Sequence, residues 1–126
     1  MPEEGRHYTV EEANALLEEL RPALERIREA RRTVLRSAER IGRRVPANGG
    51  GIDGTAHWEA LRILREGIED LGARSLILRD ADTGLIDFPA LREGRLVYLC
   101  WRPDEDRVGH WHEVDAGFGG RRPLGA

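Results

Sequence analysis

The feature that most constrains this chain is an apolar seam spaced alternately by three and four residues. It runs through Val10, Ala13, Leu17, Leu20, Leu24 and Ile27, then Val34, Ala38 and Ile41. Such spacing keeps side chains on one stripe of a helix, and so long a stripe predicts a helix packed lengthwise on a partner. Arg31 occupies the next expected place and interrupts the pattern. Leu16, Ala30 and Leu35 widen the stripe, which predicts that a sheet or third helix also covers it. Thr9 and Glu12 have the spacing of a capping box, with Tyr8 placed as a hydrophobic staple, so the helix is expected over 9–45.

Pro22 lies inside this helix and predicts a kink near Leu20 or a short break there. Glutamates crowd the helix start (Glu11, Glu12, Glu18, Glu19) and arginines its end (Arg36, Arg40, Arg43, Arg44), as the macrodipole favours. Pro46 and "ANGGGIDG" then predict a flexible loop. A second helix is expected over 55–72, with a seam of Leu61, Leu64, Ile68 and Leu71, Trp58 and His57 in its first turn, and Gly72 as its stop. The two form an antiparallel hairpin. The uncovered end of the longer helix needs a partner, and a second copy of the chain is the simplest, so a homo-oligomer, most simply a dimer, is expected.

Beyond Gly72 the period falls to two. "SLILRD" (75–80), "GLIDF" (84–88), "RLVYLCWR" (95–102) and "HWHEV" (110–114) read as short strands. "DADTG" and "REG" suit tight turns, and "PDEDRVG" a charged loop. Helices first and strands after predict an α+β fold: a long antiparallel helical hairpin packed on a small antiparallel β-meander. The 126 residues suit one domain, with hairpin segments 9–45 and 55–72, a sheet over 75–115 and a Gly/Arg-rich tail over 116–126 running as a surface loop.

The charges nearly cancel, 20 basic against 23 acidic for a formal −3. That argues against an electrostatic sponge for nucleic acid or membrane. All the basic residues are arginine. Arg26 to Arg44 is a basic helical end, but it lacks interleaved aromatics and the dipole explains it equally well, so nucleic acid is not favoured. Cys100 is the only cysteine, which excludes an intramolecular disulfide and suits a reducing compartment. The polar start "MPEEGRHYTV" has no signal pattern, and no apolar run is long enough to span a bilayer, so a cytoplasmic location is expected.

Chemistry concentrates near the C-terminus. If Arg102 lies opposite His110 across the 103–109 loop, Cys100 falls opposite His112 and Tyr98 opposite Val114. Cys100, His110 and His112 then share one face while Trp101 and Trp111 pair on the other. A thiolate with two imidazoles suits a transition metal such as zinc, iron or copper. The plainer alternative is a buried cysteine beside a hydrogen-bonded core histidine. Asp87 interrupts an apolar strand, either as a strand-end acid before Pro89 or as a carboxylate aimed at the same pocket. Arg121 and Arg122 in "GFGGRRPL" could grip a phosphate or carboxylate, or simply belong to an anchored terminus. The expected metal ligands are Cys100, His112 and His110, and the expected ligand-binding residues are Asp87, Arg121 and Trp111.

"YTVEEANALLEELRPALERI", "GLIDFPALREGRLVYLCWR" and "WHEVDAGFGGRRPL" together resemble a bacterial family designated domain of unknown function 2203. The resemblance covers nearly the whole chain and implies a cytoplasmic single domain without an established activity. Its pattern falls here on Asp87, Phe88, Pro89, Cys100, Trp101, Trp111, His112, Gly117 and Arg121, and His110 stands where the family has another aromatic. Three functions follow from the residues. The first is a binding or sensing domain, with a pocket between sheet and helices where His112, Cys100, Asp87 and Arg121 hold a metal or small anion. The second is an interaction protein dimerising through the long helix. The third is a small hydrolase-like enzyme using the same residues for acid-base work, with Arg121 stabilising charge.

Overall fold

The computed structural model describes residues 6–42 and 47–125, with side chains over 6–40 and 55–125. It is α+β: two long antiparallel helices packed against one face of a five-stranded antiparallel sheet in the order β1-β2-β3-β4-β5. The strands are β1 (Ile77–Asp80), β2 (Leu85–Arg92), β3 (Arg95–Trp101), β4 (His110–Glu113) and β5 (Arg122–Pro123).

Helix α1 (Val10–Ala15) starts with the expected capping box. The Glu12 amide donates to Thr9 Oγ1 and the Thr9 amide to Glu12 Oε1, each at 3.0 Å. The ladder is then interrupted at Leu16, whose backbone stays right-handed, and α2 (Leu17–Gly42) runs on through Pro22. The break thus falls four residues upstream of Leu20, the expected place. Pro22 lies six residues beyond that turn, and its missing amide removes only the one bond to the Glu18 carbonyl, so the helix continues through it. The expected helix end at 43–46 lies outside the described residues, as does the Ile41 side chain.

Burial confirms the seam through Ala13, Leu17, Leu20, Leu24 and Ile27. Beyond Ile27 it steps through Ala30, half-buried Val34 and Ser37, leaving Ala38 exposed. The repeat therefore continues unbroken. Arg31 looks like a gap because the position actually used is Ala30, one residue earlier, and the next step correspondingly falls on Ser37 instead of Ala38.

Helix α3 (Ala47–Ala73) begins eight residues before Thr55, taking in the glycine-rich stretch expected to be a loop. Glycine in a helix costs about 1 kcal/mol each relative to alanine, which a long packed helix can carry. Among its described side chains the buried positions are Ala60 and Leu71, while Ile68 of the expected seam is exposed. At Gly67 the two helices nearly touch: a Cβ there would lie 2.7 Å from Ile27 Cγ1. The helix stops not at Gly72 but in a Schellman motif. Ser75 takes positive φ (66°), its amide donates to Gly72 O, and Leu76 N donates to Leu71 O at 3.0 Å. Leu71 and Leu76, both buried, supply the accompanying apolar contact.

Pro89 was expected to end β2, yet it lies within the strand, opposite Tyr98. β1 pairs only as far as Asp87, so Pro89 faces a free edge, where its missing N–H costs no ladder bond. Its carbonyl accepts instead from the Tyr8 amide at 2.7 Å. Glu93 and Gly94 both take positive φ and make a two-residue hairpin between β2 and β3. The tail is partly ordered: β5 pairs with β4, and Leu124 N donates to Gly109 O. Among the described residues no helix is long and apolar enough to cross a membrane.

The helix contact yields paired predictions of opposite sign. Gly67→Ala should gain about 1 kcal/mol of helix propensity but lose about 1–3 by overpacking fully buried Ile27, for a net destabilisation. Gly72→Ala meets nothing within 4 Å and should be neutral or stabilising by up to about 1 kcal/mol. Urea midpoints of the two variants decide it; a more stable Gly67→Ala would contradict this packing.

Candidate metal centre

Alternation along the strands divides the sheet chemically. Ile86, Phe88, Ala90, Val97, Leu99, Trp101 and Trp111 face the helices. Asp87, Cys100, Tyr98, His110 and His112 point from the other face. The expected pocket between sheet and helices is therefore misplaced: these groups cluster on the side away from the hairpin.

The register also differs from the sequence expectation by two residues. Cys100 stands opposite His110, and His112 opposite Tyr98. A shift of two keeps every side chain on its face but changes its neighbours. Trp101 and Trp111 share the core face, yet Trp101 is paired with Ile86 and Trp111 with Leu99. The difference arises because the connection between paired residues is not 103–109 alone: Trp101 and Arg102 also lie beyond the β3–β4 pairing.

Asp87, on the central part of β2, lies directly opposite Cys100 on β3. His112 on β4 approaches diagonally, with Nε2 at 3.1 Å from both Asp87 carboxylate oxygens. The donor atoms of Asp87, Cys100 and His112 all lie within 4.8 Å of one another, and the three residues are 1%, 0% and 2% exposed.

Hydrogen bonds fix how these groups are presented. His112 Nδ1 is 2.7 Å from the Glu113 carbonyl oxygen, which can only accept, so Nδ1 carries a proton. The other nitrogen, Nε2, is left to face Asp87, and a carboxylate satisfies it only across a shared proton or cation. Arg79 Nε donates to Asp87 Oδ2 at 2.7 Å. The Arg79 guanidinium also lies 5.3 Å over the Tyr98 ring, which in turn rests against the His112 imidazole at 5.6 Å. Arg79, Asp87, His112 and Tyr98 therefore close a ring of contacts. Sequence reading missed Arg79 and Tyr98, because only the β1–β2 and β3–β4 registers, with Ile77 opposite Asp87 and Tyr98 opposite His112, bring them to the cluster.

Burial pushes the Cys100 thiol up to about 11, helped by the negative charge of Asp87 and opposed by Arg121 and Arg102. At neutral pH it is a thiol, not a nucleophile.

His110 and Arg121 belong to a neighbouring network. Arg121 donates to Glu105 and, at 2.6 Å, to His110 Nδ1, so that nitrogen is occupied as an acceptor. Burial opposes the charge on Glu105, but the hydrogen bonds from Arg121 and the Arg102 amide outweigh it and hold the carboxyl below its usual range. Arg121 and Arg102 also flank the Phe118 ring, pinning the tail beside Cys100. Trp111 is on the opposite face, between the guanidiniums of Arg92 and Arg122. Of the six expected site residues, three meet, two form the adjacent network and Trp111 is apart.

A family model described as an uncharacterized conserved protein, DUF2203, matches residues 6–124. The chain belongs to this family. No curated protein and no solved structure matches it.

The buried thiol gives a pH prediction. Because the folded thiol titrates near 11, above the roughly 8.5 of a free cysteine, folding favours the protonated form. That contribution is fully present below the free value and is lost as pH rises through the folded one. At pH 8 Cys100 should resist Ellman's reagent in the native protein and react fully in denaturant; rapid native labelling would contradict the burial.

Proposed function

We propose that the protein is a transition-metal-binding domain whose centre is formed by Asp87, Cys100 and His112, with zinc the best-suited ion. The observation that carries this reading is the placing of His112: Nδ1 is committed to the Glu113 carbonyl, and Nε2 is aimed at the Asp87 carboxylate. A ligating imidazole is ordinarily oriented in this way, by an outer N–H···O=C bond. A tetrahedral ion with N and O ligands at about 2.0–2.1 Å sets those ligands about 3.3 Å apart, close to the 3.1 Å present here.

The donor set agrees. One imidazole, one carboxylate and one sulfur make a mixed group of the kind zinc accepts. Cys100 would bind as thiolate, so the ion must displace the proton that burial retains. Thiolate and carboxylate together balance a divalent charge, while Arg79 holds Asp87 in place. Three protein donors leave the fourth position to a small molecule such as water.

A second reading is favoured by the Arg79–Asp87 ion pair. In it the cluster is a metal-free buried network that fixes the register of β1, β2 and β4. A dimer through the helices would use their exposed apolar side chains, Leu35, Trp58 and Ile68.

Cobalt(II) titration of metal-stripped protein separates the first two readings. One equivalent should bind and produce a sulfur-to-cobalt absorption band. That band should vanish in Cys100→Ser, and affinity should fall at least about 100-fold in His112→Ala, while His110→Ala binds normally. Folding of each variant is checked by circular dichroism. Absence of a band in the folded wild type would leave the metal-free network.

A further inference from the structure

A second group of functional side chains lies where α2 meets two sheet loops. A cleft of about 300 Å³ is lined by Arg28 and Arg32 from α2, Asp82 and Thr83 from the β1–β2 turn, and Arg102, Pro103 and Asp104 from the β3–β4 loop. Arg28 and Arg32 are one helical turn apart, so their side chains emerge on the same side. The size is at the lower end for small-molecule sites.

The walls are fixed before anything binds. Arg21 donates to the carbonyl oxygens of Pro103, Glu105 and Asp106, tying the β3–β4 loop to α2. Trp101 Nε1 donates to Glu105 O, and the Arg102 amide to Glu105 Oε1. The opposite loop abuts through Gly84, whose positive φ (82°) and lack of a Cβ admit Pro103; a Cβ would lie 2.8 Å from the proline ring.

Inside this frame, guanidinium donors lack acceptors. Nε of Arg28 and Nε of Arg102 are both buried with no hydrogen-bond partner. Arg102 Nε is 3.3 Å from Asp104 Oδ1, within ion-pair range but not aligned as a hydrogen bond, and Arg28 Nη1 is 3.9 Å from Glu25. Arg32 has no ion-pair partner among the described residues. The two carboxylates in the cleft, Asp82 and Asp104, are 63% and 70% exposed, and Asp82 pairs with Arg31 outside it. A buried N–H without an acceptor is costly, more so on a charged group. Three arginines and the Thr83 hydroxyl thus line one cleft against two largely exposed carboxylates, an excess of positive charge that an anion would balance.

We propose that this cleft binds the phosphoryl group of a small phosphate monoester. The planar guanidinium fork matches phosphate oxygens in pairs, and three forks suit a dianion better than a single carboxylate. The room beyond the arginines is for the organic body of the ester. The site shares no residue with Asp87, Cys100 or His112, and it stands whether or not those residues hold a metal.

Amide chemical shifts, followed by NMR on the full chain, test this with two probes, inorganic phosphate and ribose 5-phosphate. Both should shift the amides of Thr83 and Asp104 with saturable, salt-sensitive binding, and the ester should bind more tightly. Arg28→Gln should weaken both by at least tenfold. Arg32→Gln, at an exposed position that leaves the fold intact, should also weaken both. The proposal is overturned if neither probe shifts those amides up to about 10 mM, or if both variants bind as tightly as the wild type.

Discussion

The structure turns on a carboxylate that has been taken out of water. Asp87 sits in the middle of a sheet at 1% exposure, and an isolated buried carboxylate would cost several kcal/mol. Its neighbours are arranged around that demand. β1 delivers the Arg79 guanidinium, β4 delivers His112, and β3 places Cys100 directly across. Removing one partner would leave charge unpaired in a sealed site. The register of three strands is therefore tied to one side chain as much as to the apolar face behind it.

That apolar face supplies the scaffold. Leu17, Leu20, Leu24 and Ile27 on α2 cover Phe88, Leu99 and Trp101, making one side of the sheet a conventional core. The other side carries the chemistry, because in a strand each buried apolar residue alternates with one that points away. It is covered by arginines stacked on aromatic rings and by the pinned tail, not by a second layer of helices. The same loops that finish the sheet also meet α2 at the arginine cleft, so the two candidate sites share a frame but no ligands.

Much of this was legible in the residues. The three-four seam, the capping box and the change to a period of two gave the fold class, because each is a local signal with its own physical cause. Membership of the DUF2203 family was likewise readable from three motifs. What failed were features decided by tertiary contact. The glycines of 47–54 read as a loop because their helix cost is local while the helix they extend is not. Pro89 read as a strand end because nothing local says that β1 stops short of it. Asp87 and Cys100 were recognised as suspects, but His110 was grouped with them although Arg121, from a tail that no local signal folds back, draws it into a second network. Arg79 carried no signal, since a lone arginine in a strand looks like solvent decoration until the β1–β2 register sets it beside Asp87.

The measurement that tests the central claim most directly is X-ray absorption at the zinc edge on zinc-loaded protein. The account predicts one sulfur scatterer at about 2.3 Å with nitrogen and oxygen at about 2.0–2.1 Å, including the outer-shell signature of a single imidazole. A shell of nitrogen and oxygen alone would contradict it, because Cys100 would then not be a ligand and the Asp87 cluster would be a hydrogen-bonded network.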